Sequence, residues 1–348
     1  MARVVLDQAD DVEPEDEEAG GDYFVDQKSP LDFVKSGSPL LDCVLGGGWP
    51  LRRISNLVGD ESTGKTLIAI EAMANFHRQY DGLMFYREAE SAFDLQYAET
   101  LGMPVQHVSF VEPDKFMTIE DFYNDVEECC NECIRRRRPG IYFCDSLDGL
   151  SDVEEMNTVK KEGFSKGTYG VKKAKDLHKM MRLQCSMIAE ANVHLGVISQ
   201  TKDKINAQFP TKTRSGGRAL NFFASQALWL SQRDKVWITR SKIKRVIGVT
   251  VRAQMKKSKI ALPYRECDVT IRFGQGIDSM ASDLDWLEEV KRLDEVIDGS
   301  RDAYEKGLAK MPDAPYWDEV RRVDAEVVRL WREIEGVFMG GARRKYAD

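Results

Sequence analysis

The sequence predicts an α/β fold: a mostly parallel, twisted sheet flanked by helices, with an antiparallel extension and a small helical C-terminal region. The first observation is that short apolar segments alternate with helical stretches through most of the chain. The second is a succession of strand-like segments from about Ala227, with no helical pattern between them. The third is a charged helical pattern from Asp283 onward, divided by Pro312 and Pro315.

The separate elements follow from apolar periodicity. A buried strand is predicted at residues 54–58, and further strands at residues 83–86, 108–111, 141–144 and 193–199, the last of them also buried. Helices are predicted at residues 66–80, 119–134 and 171–191. The antiparallel extension is predicted to hold four strands, in "ALWLSQ", "KVWITR", "VTVRAQM" and "DVTIRF". The glycines of residues 46–48 predict a turn before the first of these elements.

Charge and composition divide the 348-residue chain into three parts. Residues 1–24 hold nine acidic residues and one Arg, so the whole net charge of −8 lies there, and a disordered acidic tail is predicted. Residues 25–280 are predicted to form the core and residues 281–348 the helical C-terminal region. The sequence has no long apolar run and no signal-like N-terminus, so we expect no membrane contact and a cytoplasmic location.

Cysteine usage favours structural positions over a metal site. Cys130 and Cys133 form a C-x-x-C pair, but no second pair completes a zinc site. Together with Cys129 they follow Phe122 and Val126 at helical spacing. Buried positions on a helix are therefore predicted.

The stretch "GDESTGKT", residues 59–66, matches the phosphate-binding pattern G-x-x-x-x-G-K-[ST]. Its backbone N–H groups can surround phosphates at a helix N-terminus. Lys65 is predicted to reach the outer phosphates and Thr66 to bind Mg²⁺, so ATP and Mg²⁺ are the predicted ligands. The candidate nucleotide-binding residues are Gly59, Asp60, Glu61, Ser62, Thr63, Gly64, Lys65 and Thr66.

Acidic residues follow two other predicted strands. Asp145 ends "IYFCD" and is the candidate to support the metal through water. Glu88 and Glu90, in "FYREAESAFD", are candidates to orient the water that attacks ATP. A solvated loop is the alternative for this glutamate pair.

A basic, glycine-containing segment follows the predicted strand at residues 193–199. Basic side chains bind phosphates and glycine allows close approach of a nucleic-acid strand, so this segment is a candidate for DNA binding, although such a charge run is usually a solvated face. The basic residues are Lys202, Lys204, Lys212, Arg214 and Arg218.

These stretches, in this order, resemble the bacterial RecA recombinase family and its phage relatives over about residues 37–278. The resemblance implies a RecA-like P-loop NTPase core. It implies Glu90 as the catalytic carboxylate, with Lys65 acting beside it, and Asp94 and Tyr97 as adenine contacts. Gln200 takes the place at which the family senses the γ-phosphate and signals to DNA.

The stretch "VISQTKDKINAQFPTKTRSGGRALNFFAS" resembles the strand end and second DNA-binding loop of that family. The resemblance adds Phe209, Gly216 and Gly217 to the DNA-binding candidates. In the preceding helix, Lys175 and Arg182 match the side that contacts DNA.

The stretch "MKKSKIALPY" resembles the segment whose lysines reach the ATP of a neighbouring subunit, which implies that role for Lys257 and Lys259. The implied partners are single- and double-stranded DNA and further copies of the chain in a helical filament, with loading proteins left open. Three stretches depart from the family: no clear N-terminal module precedes Gly37, Asn221 replaces a basic residue, and residues 283–348 show little likeness.

The leading hypothesis is a DNA-dependent ATPase that forms filaments on single-stranded DNA and promotes homologous pairing and strand exchange. One alternative is an accessory paralogue that binds ATP and DNA without exchanging strands. The other is a ring-forming motor or helicase on the same fold.

Overall fold

The protein is described by a computed structural model that covers residues 31–90, 92–162, 171–203, 212–214 and 217–339. The predicted acidic tail lies outside the described residues. So do three of the predicted DNA-binding residues: Lys204, Phe209 and Gly216.

The fold is built on one large sheet with helices on both faces. The central strands are parallel, and the extension beyond β9 is antiparallel. The strands, in chain order, are β1 (Phe33–Val34), β2 (Trp49–Pro50), β3 (Ile54–Gly59), β4 (Leu83–Glu88), β5 (Val108–Phe110), β6 (Gly140–Asp145), β7 (Val193–Asp203), β8 (Lys212–Arg214), β9 (Gln226–Arg240), β10 (Ile243–Ser258), β11 (Glu266–Arg272) and β12 (Gly276–Ile277). Their order across the large sheet is β12-β11-β10-β9-β3-β7-β6-β4-β5, with β8 paired to β7 and with β1 and β2 paired to each other.

The helices connect the parallel strands and then continue past the sheet. They are α1 (Pro39–Leu45), α2 (Lys65–Gln79), α3 (Leu95–Thr100), α4 (Ile119–Arg136), α5 (Val153–Glu162), α6 (Val171–Glu190), α7 (Gly217–Phe223), α8 (Ser279–Glu289), α9 (Arg301–Leu308) and α10 (Asp313–Met339). Short 3-10 turns separate several of these elements, among them Leu147–Gly149 after β6. The predicted α/β architecture, with its antiparallel extension and helical C-terminal region, is confirmed.

The strand prediction was wrong in one place. The segments "ALWLSQ" and "KVWITR" form the single strand β9 instead of two. The polar residues between them stay paired with β10, because a register shift between Thr250 and Val251 absorbs the extra residue Arg233. Exposed polar residues are compatible with this ladder because that part of β9 lies outside the core.

Local sequence signals explain several element ends. The glycines at residues 46–48 all have positive φ, which confirms the predicted turn. Thr118 and Asp121 form a capping box at the start of α4. Arg135 and Arg136 lie in the last turn of that helix, where positive charge is favourable, and Arg137 ends it in a left-handed conformation.

Two apolar clusters lie on the two faces of the sheet. One contains Cys129, Cys130 and Cys133, as the helical spacing predicted. The other joins α1 and α2 to residues of the C-terminal helices such as Trp286 and Val323. The predicted boundary between residues 280 and 281 falls inside α8, which packs on β11. Among the described residues, no helix has the length and apolar character required to cross a bilayer.

Candidate nucleotide and DNA site

A loop between the central strand and a long helix forms the predicted phosphate site. β3 ends at Gly59, and α2 begins at Lys65. Within the loop Ser62 and Gly64 have positive φ, and a Cβ on Gly64 would lie 2.5 Å from a side-chain carbon of Ile271. Glycine therefore fits here where larger residues do not. The loop presents backbone N–H groups at a helix N-terminus, an arrangement suited to anions.

Lys65 lies in this loop with only 9% of its surface exposed. Its Nζ donates a hydrogen bond to the carbonyl oxygen of Asp60 at 2.6 Å. Burial lowers the pKa of Lys65, and the carboxylates of Asp145 and Glu90 oppose that shift. The carboxylates thus favour the charged ammonium group, whose contact with the outer phosphates of a nucleotide stays a prediction.

Thr66 and Asp145 meet beside this lysine. The Thr66 hydroxyl donates to Oδ2 of Asp145 at 2.6 Å, and the Tyr86 hydroxyl donates to the same oxygen at 2.6 Å. Burial raises the pKa of Asp145, and these two hydrogen bonds oppose the rise. Tyr86 is itself fully buried, so it fixes the carboxylate from the sheet side.

These two oxygen ligands fit Mg²⁺. Mg²⁺ takes oxygen ligands, keeps several waters and is bound by one or two protein groups together with substrate phosphates. The described residues contain no cluster of three or more His, Cys, Asp or Glu side chains that could enclose a metal. The Thr66 hydroxyl and the Asp145 carboxylate are residues that could hold such an ion.

The two glutamates after β4 have different surroundings. Oε1 of Glu88 accepts the backbone N–H groups of Glu90 at 2.9 Å and Ala92 at 3.1 Å, so Glu88 shapes the turn. The Glu90 carboxylate instead accepts hydrogen bonds from side chains, those of Ser146 and Gln200. Of these two glutamates, Glu90 is the one whose carboxylate is directed toward other side chains of the site.

Gln200 connects this carboxylate to the strand that leads toward the predicted DNA loop. Its Nε2 donates to Oε1 of Glu90 at 3.0 Å, and its backbone N–H donates to Oδ2 of Asp148 at 2.7 Å. The next residue, Thr201, donates a hydrogen bond to the side chain of Asp60 in the phosphate loop. The end of β7 is therefore bonded to both the phosphate loop and Glu90.

The predicted adenine residues lie at the start of α3. The Asp94 carboxylate caps that helix by accepting the backbone N–H of Tyr97 at 3.0 Å. Tyr97 is half-buried and packs against the apolar cluster that includes α2. Burial, and then the nearby carboxyl of Glu71, raise the pKa of Tyr97. Asp94 and Tyr97 therefore have fixed positions beside α2. Their contact with adenine stays a prediction.

Two predicted DNA-binding residues share one exposed face of α6. Lys175 and Arg182 are both exposed and lie seven positions apart, so they project from the same side of the helix. Leu177 and Met181 are buried on the opposite side. Lys202 and Lys212 belong to the antiparallel pair of β7 and β8, while Gly217 and Arg218 begin α7.

Comparison with known proteins adds to this geometry. The family described as the RecA N-terminal domain matches residues 23–278. The chain belongs to the RecA family. Protein RecA of Borrelia hermsii (strain HS1 / DAH) is 30% identical over 257 residues, which cover 73% of this chain and 68% of that protein. Protein RecA of Staphylococcus carnosus (strain TM300) is 27% identical over 322 residues, which cover 90% of this chain and 85% of that protein.

Membership confirms the RecA-like α/β core. At the level of the family, membership also supports a RecA-like recombinase and ATPase in general. ATP and Mg²⁺ are the usual ligands of this family, and membership suggests DNA binding and self-assembly.

Arg214, one of the predicted DNA-binding residues, is buried in this structure. Only 7% of it is exposed, and its guanidinium donates to the side-chain oxygens of Asn56 in β3 and Asn221 in α7. Burial lowers the pKa of Arg214 to about 10. In the described conformation Arg214 joins β8, β3 and α7 through these contacts. Its predicted contact with DNA phosphate stays a prediction.

Lys257 and Lys259, implied to reach a neighbouring subunit, contact α7 of their own chain. Nζ of Lys257 donates to the carbonyl of Ala224 at 2.6 Å, and Nζ of Lys259 donates to that of Phe222 at 2.8 Å. Burial lowers the pKa of Lys257 to about 8, and the positive charges of Lys259 and Arg214 contribute to this shift. Both lysines thus stabilise the C-terminal end of α7, where positive charge is favourable. Their role between RecA subunits stays a prediction.

Sequence reasoning missed three members of the site: Tyr86, Ser146 and Asp148. The sequence indicates only a strand position for Tyr86, because its contact with Asp145 depends on the pairing of β4 with β6. Ser146 and Asp148 follow the predicted metal-supporting aspartate directly. Their polar side chains just after a strand end were the available signal.

Proposed function

We propose that this RecA-family chain is a DNA-dependent ATPase that binds single-stranded DNA as an ATP-bound filament and promotes homologous pairing and strand exchange. The observation that carries the proposal is the double connection of the end of β7. Gln200 bonds Glu90, and Thr201 bonds Asp60, so the strand next to the predicted DNA loop contacts both halves of the nucleotide site.

Binding of ATP follows from the phosphate loop. The loop carries backbone N–H groups at the start of α2, and the Lys65 ammonium group contacts the loop carbonyl of Asp60, so together they can neutralise the charge of the phosphates. Mg²⁺, when bound at Thr66 with Asp145 behind it, supplies further positive charge to the phosphate oxygens. Lys65 and Thr66 then hold the nucleotide from two sides.

Hydrolysis requires a group that orients the attacking water. The Glu90 carboxylate is suited to accept a hydrogen bond from that water, and Ser146 and Gln200 fix its direction. Because phosphoryl transfer depends mainly on positioning and charge, a fixed carboxylate next to Lys65 is sufficient for this role.

Coupling to DNA follows from the position of Gln200. A ligand at the phosphate loop that attracts the Gln200 amide would compete with Glu90 for it. That competition would shift the end of β7 and the segment that follows it. Lys175 and Arg182 on α6, with Lys202, Lys212 and Arg218, would hold the DNA backbone, so base pairing would select the homologous partner.

Strand exchange on homologous and heterologous DNA tests this proposal. A circular single strand is incubated with a linear duplex of the same sequence, ATP and Mg²⁺, and joint molecules are separated on a gel. We expect joint molecules only with the homologous duplex, and none with Lys65→Ala. DNA-stimulated ATP hydrolysis without any joint molecules would instead favour the accessory paralogue or the motor. Electron micrographs then separate those two, because a motor is expected to form rings.

A further inference from the structure

The carboxyl group of Glu71 lies where three parts of the chain meet. Glu71 is in α2, five residues after Thr66, which is about 7.5 Å along the helix. Its Oε1 accepts the backbone N–H of Ile277 in β12 at 2.7 Å. Its Oε2 lies against Gly37, in the segment before α1. One side chain thus joins the helix that begins at the phosphate loop to both of these segments.

Two glycines leave the space that this carboxyl group occupies. A Cβ on Gly276 would lie 2.2 Å from Oε1 of Glu71, and a Cβ on Gly37 would lie 2.7 Å from Oε2. Both glycines have positive φ, a conformation that other residues rarely adopt. The Ser279 hydroxyl donates to the carbonyl of Gly37 at 3.2 Å, at the start of α8. Backbone therefore confines the carboxyl group on two sides.

The surroundings of Glu71 contain little positive charge. Arg78, about two turns farther along α2, is the cation that acts on it, and among the described residues no Lys or Arg forms a salt bridge with it. From α3 the phenol of Tyr97 faces it, and Glu71 contributes to the raised pKa of that phenol. From β12 and the segment before α1 it meets the backbone atoms of Ile277 and Gly37.

This environment leaves the carboxyl group close to the midpoint of its titration at neutral pH. Burial raises the pKa of Glu71 to about 7, and the Ile277 N–H and Arg78 oppose the rise. A group in this state responds to a small change in its surroundings, because charged and neutral forms are both present.

A nucleotide at the predicted site would favour the neutral form for two reasons. Its phosphates bring negative charge to the start of α2, and a like charge disfavours ionisation of a carboxyl group. Its base, at the predicted contact with Tyr97, excludes water beside Glu71, and loss of water disfavours the same charged form. Mg²⁺ and Lys65 cancel part of the phosphate charge, whereas the loss of water remains in full.

We propose that Glu71 couples nucleotide binding to the uptake of a proton, and so acts as a positioning residue through α2 and Tyr97. The proton comes from solvent and goes to Oε2, while Oε1 keeps accepting the N–H of Ile277. Nucleotide affinity therefore rises as the pH falls. The inference rests on the proposed function only for a nucleotide at the phosphate loop. It requires neither DNA nor hydrolysis.

Calorimetry counts the proton directly. The full chain is titrated with ADP and Mg²⁺, without DNA, at about pH 7.5 in HEPES and in Tris, which differ in their enthalpy of ionisation. The dependence of the binding enthalpy on the buffer gives the number of protons taken up. If the nucleotide tightens proton binding by about tenfold, we expect uptake of roughly half a proton per nucleotide.

Variants assign the proton to its residue. Glu71→Gln keeps the shape and the acceptor for Ile277 but cannot take up a proton, so uptake should fall by the whole amount due to Glu71. Uptake that remains belongs to the nucleotide and to other groups of the site. Glu99→Gln, exposed on α3, is the matched control and should retain wild-type uptake. Between about pH 6.5 and pH 8.5, ADP affinity should fall roughly sixfold more in the wild type than in Glu71→Gln.

Three results would overturn the inference. They are binding of ADP by the wild type without proton uptake, equal uptake by the wild type and Glu71→Gln, and loss of the same uptake in Glu99→Gln. Circular dichroism checks that Glu71→Gln is folded, and Glu71→Met, a second neutral side chain of similar length, repeats the comparison.

These outcomes are distinct from failure of the proposed function, because the titration contains no DNA and no hydrolysis occurs. A chain that exchanges no strands can still take up the proton. A recombinase that binds ADP without proton uptake overturns this inference alone. A chain that binds no ADP would contradict the nucleotide site itself, and this inference with it.

Discussion

The side-chain amide of Gln200 donates a hydrogen bond to the carboxylate of Glu90, with 3.0 Å between Nε2 and Oε1. The two residues are 110 positions apart and meet because β7, β6 and β4 are neighbours in the sheet. This contact joins the residue proposed to orient water to the strand proposed to sense DNA. Substitutions at Gln200 and at Glu90 test the two ends of this contact.

Removal of the Gln200 amide should uncouple hydrolysis from DNA. In Gln200→Ala the Glu90 carboxylate keeps its contact with Ser146, so we expect basal ATP hydrolysis within roughly threefold of the wild type, since the nucleotide-binding groups remain. Stimulation by single-stranded DNA should be lost, because the bond that relays it is absent. Steady-state hydrolysis with and without DNA measures both. Gln106→Ala, at an exposed site away from the loop, serves as the control, and equal stimulation in both variants would contradict the coupling role.

Neutralisation of Glu90 should slow hydrolysis and spare binding. Glu90→Gln keeps the shape of the side chain but cannot act as a base, so the rate should fall by about 10²- to 10⁴-fold. ATP affinity, measured with a fluorescent ATP analogue, should stay close to that of the wild type, because Lys65 and Thr66 are unchanged. Glu99→Gln, on the exposed side of α3, is the matched control. A Glu90→Gln protein with wild-type turnover would exclude Glu90 as the catalytic carboxylate.

Truncation of Arg214 should affect stability more than phosphate binding. Its guanidinium bonds Asn56 and Asn221, and Arg214→Ala leaves the buried amide oxygen of Asn56 without this donor. We expect a loss of about 1–3 kcal/mol in the free energy of unfolding, measured by urea denaturation. The salt dependence of DNA binding should not change. A normal unfolding midpoint together with a reduced salt slope would instead support Arg214 as a DNA-contacting residue.

Two buried carboxyl groups between α8 and α10 should make stability depend on pH. Asp283 is fully buried beside Asp324, and burial, followed by its contact with Asp324, raises the pKa of Asp283 well above its ordinary value. Burial also raises the pKa of Asp324. The other acidic groups near Asp283 are the carboxyl of Asp278 and the thiol of Cys267. One carboxylic acid can thus donate a hydrogen bond to the other carboxylate.

The sign of the effect follows from linkage. A carboxyl whose pKa is higher in the folded chain binds its proton more tightly there, so its stabilising contribution is complete below the unfolded value near 3.8. That contribution is lost as the pH rises through the folded pKa. Asp283→Asn should therefore flatten the fall in unfolding midpoint that begins as the pH rises above 3.8, and raise the midpoint at the upper end. Asp302→Asn, exposed on α9, should leave the profile unchanged, and an equal slope in Asp283→Asn and the wild type would contradict the shared proton.

The sequence was sufficient for the parts of the fold and site that depend on neighbouring residues. Lys65 and Thr66 follow a glycine loop between an apolar strand and a helix, so their place at the helix start could be predicted from spacing alone. The pairing of Gln200 with Glu90, and of Arg214 with Asn56, depends on strand order across long separations in the chain. No local pattern carries that order. β9 was divided in two for a similar reason, since its polar middle is supported by β10 and not by its own periodicity.

ATP hydrolysis with and without single-stranded DNA tests the central claim most directly. The wild type is measured at saturating ATP and Mg²⁺ with increasing amounts of a thymidine homopolymer, and Lys65→Ala provides the blank. If the contact between Gln200 and Glu90 links the two sites, turnover above this blank should rise strongly with DNA. Turnover that is well above the blank but unchanged by DNA would contradict a DNA-dependent ATPase.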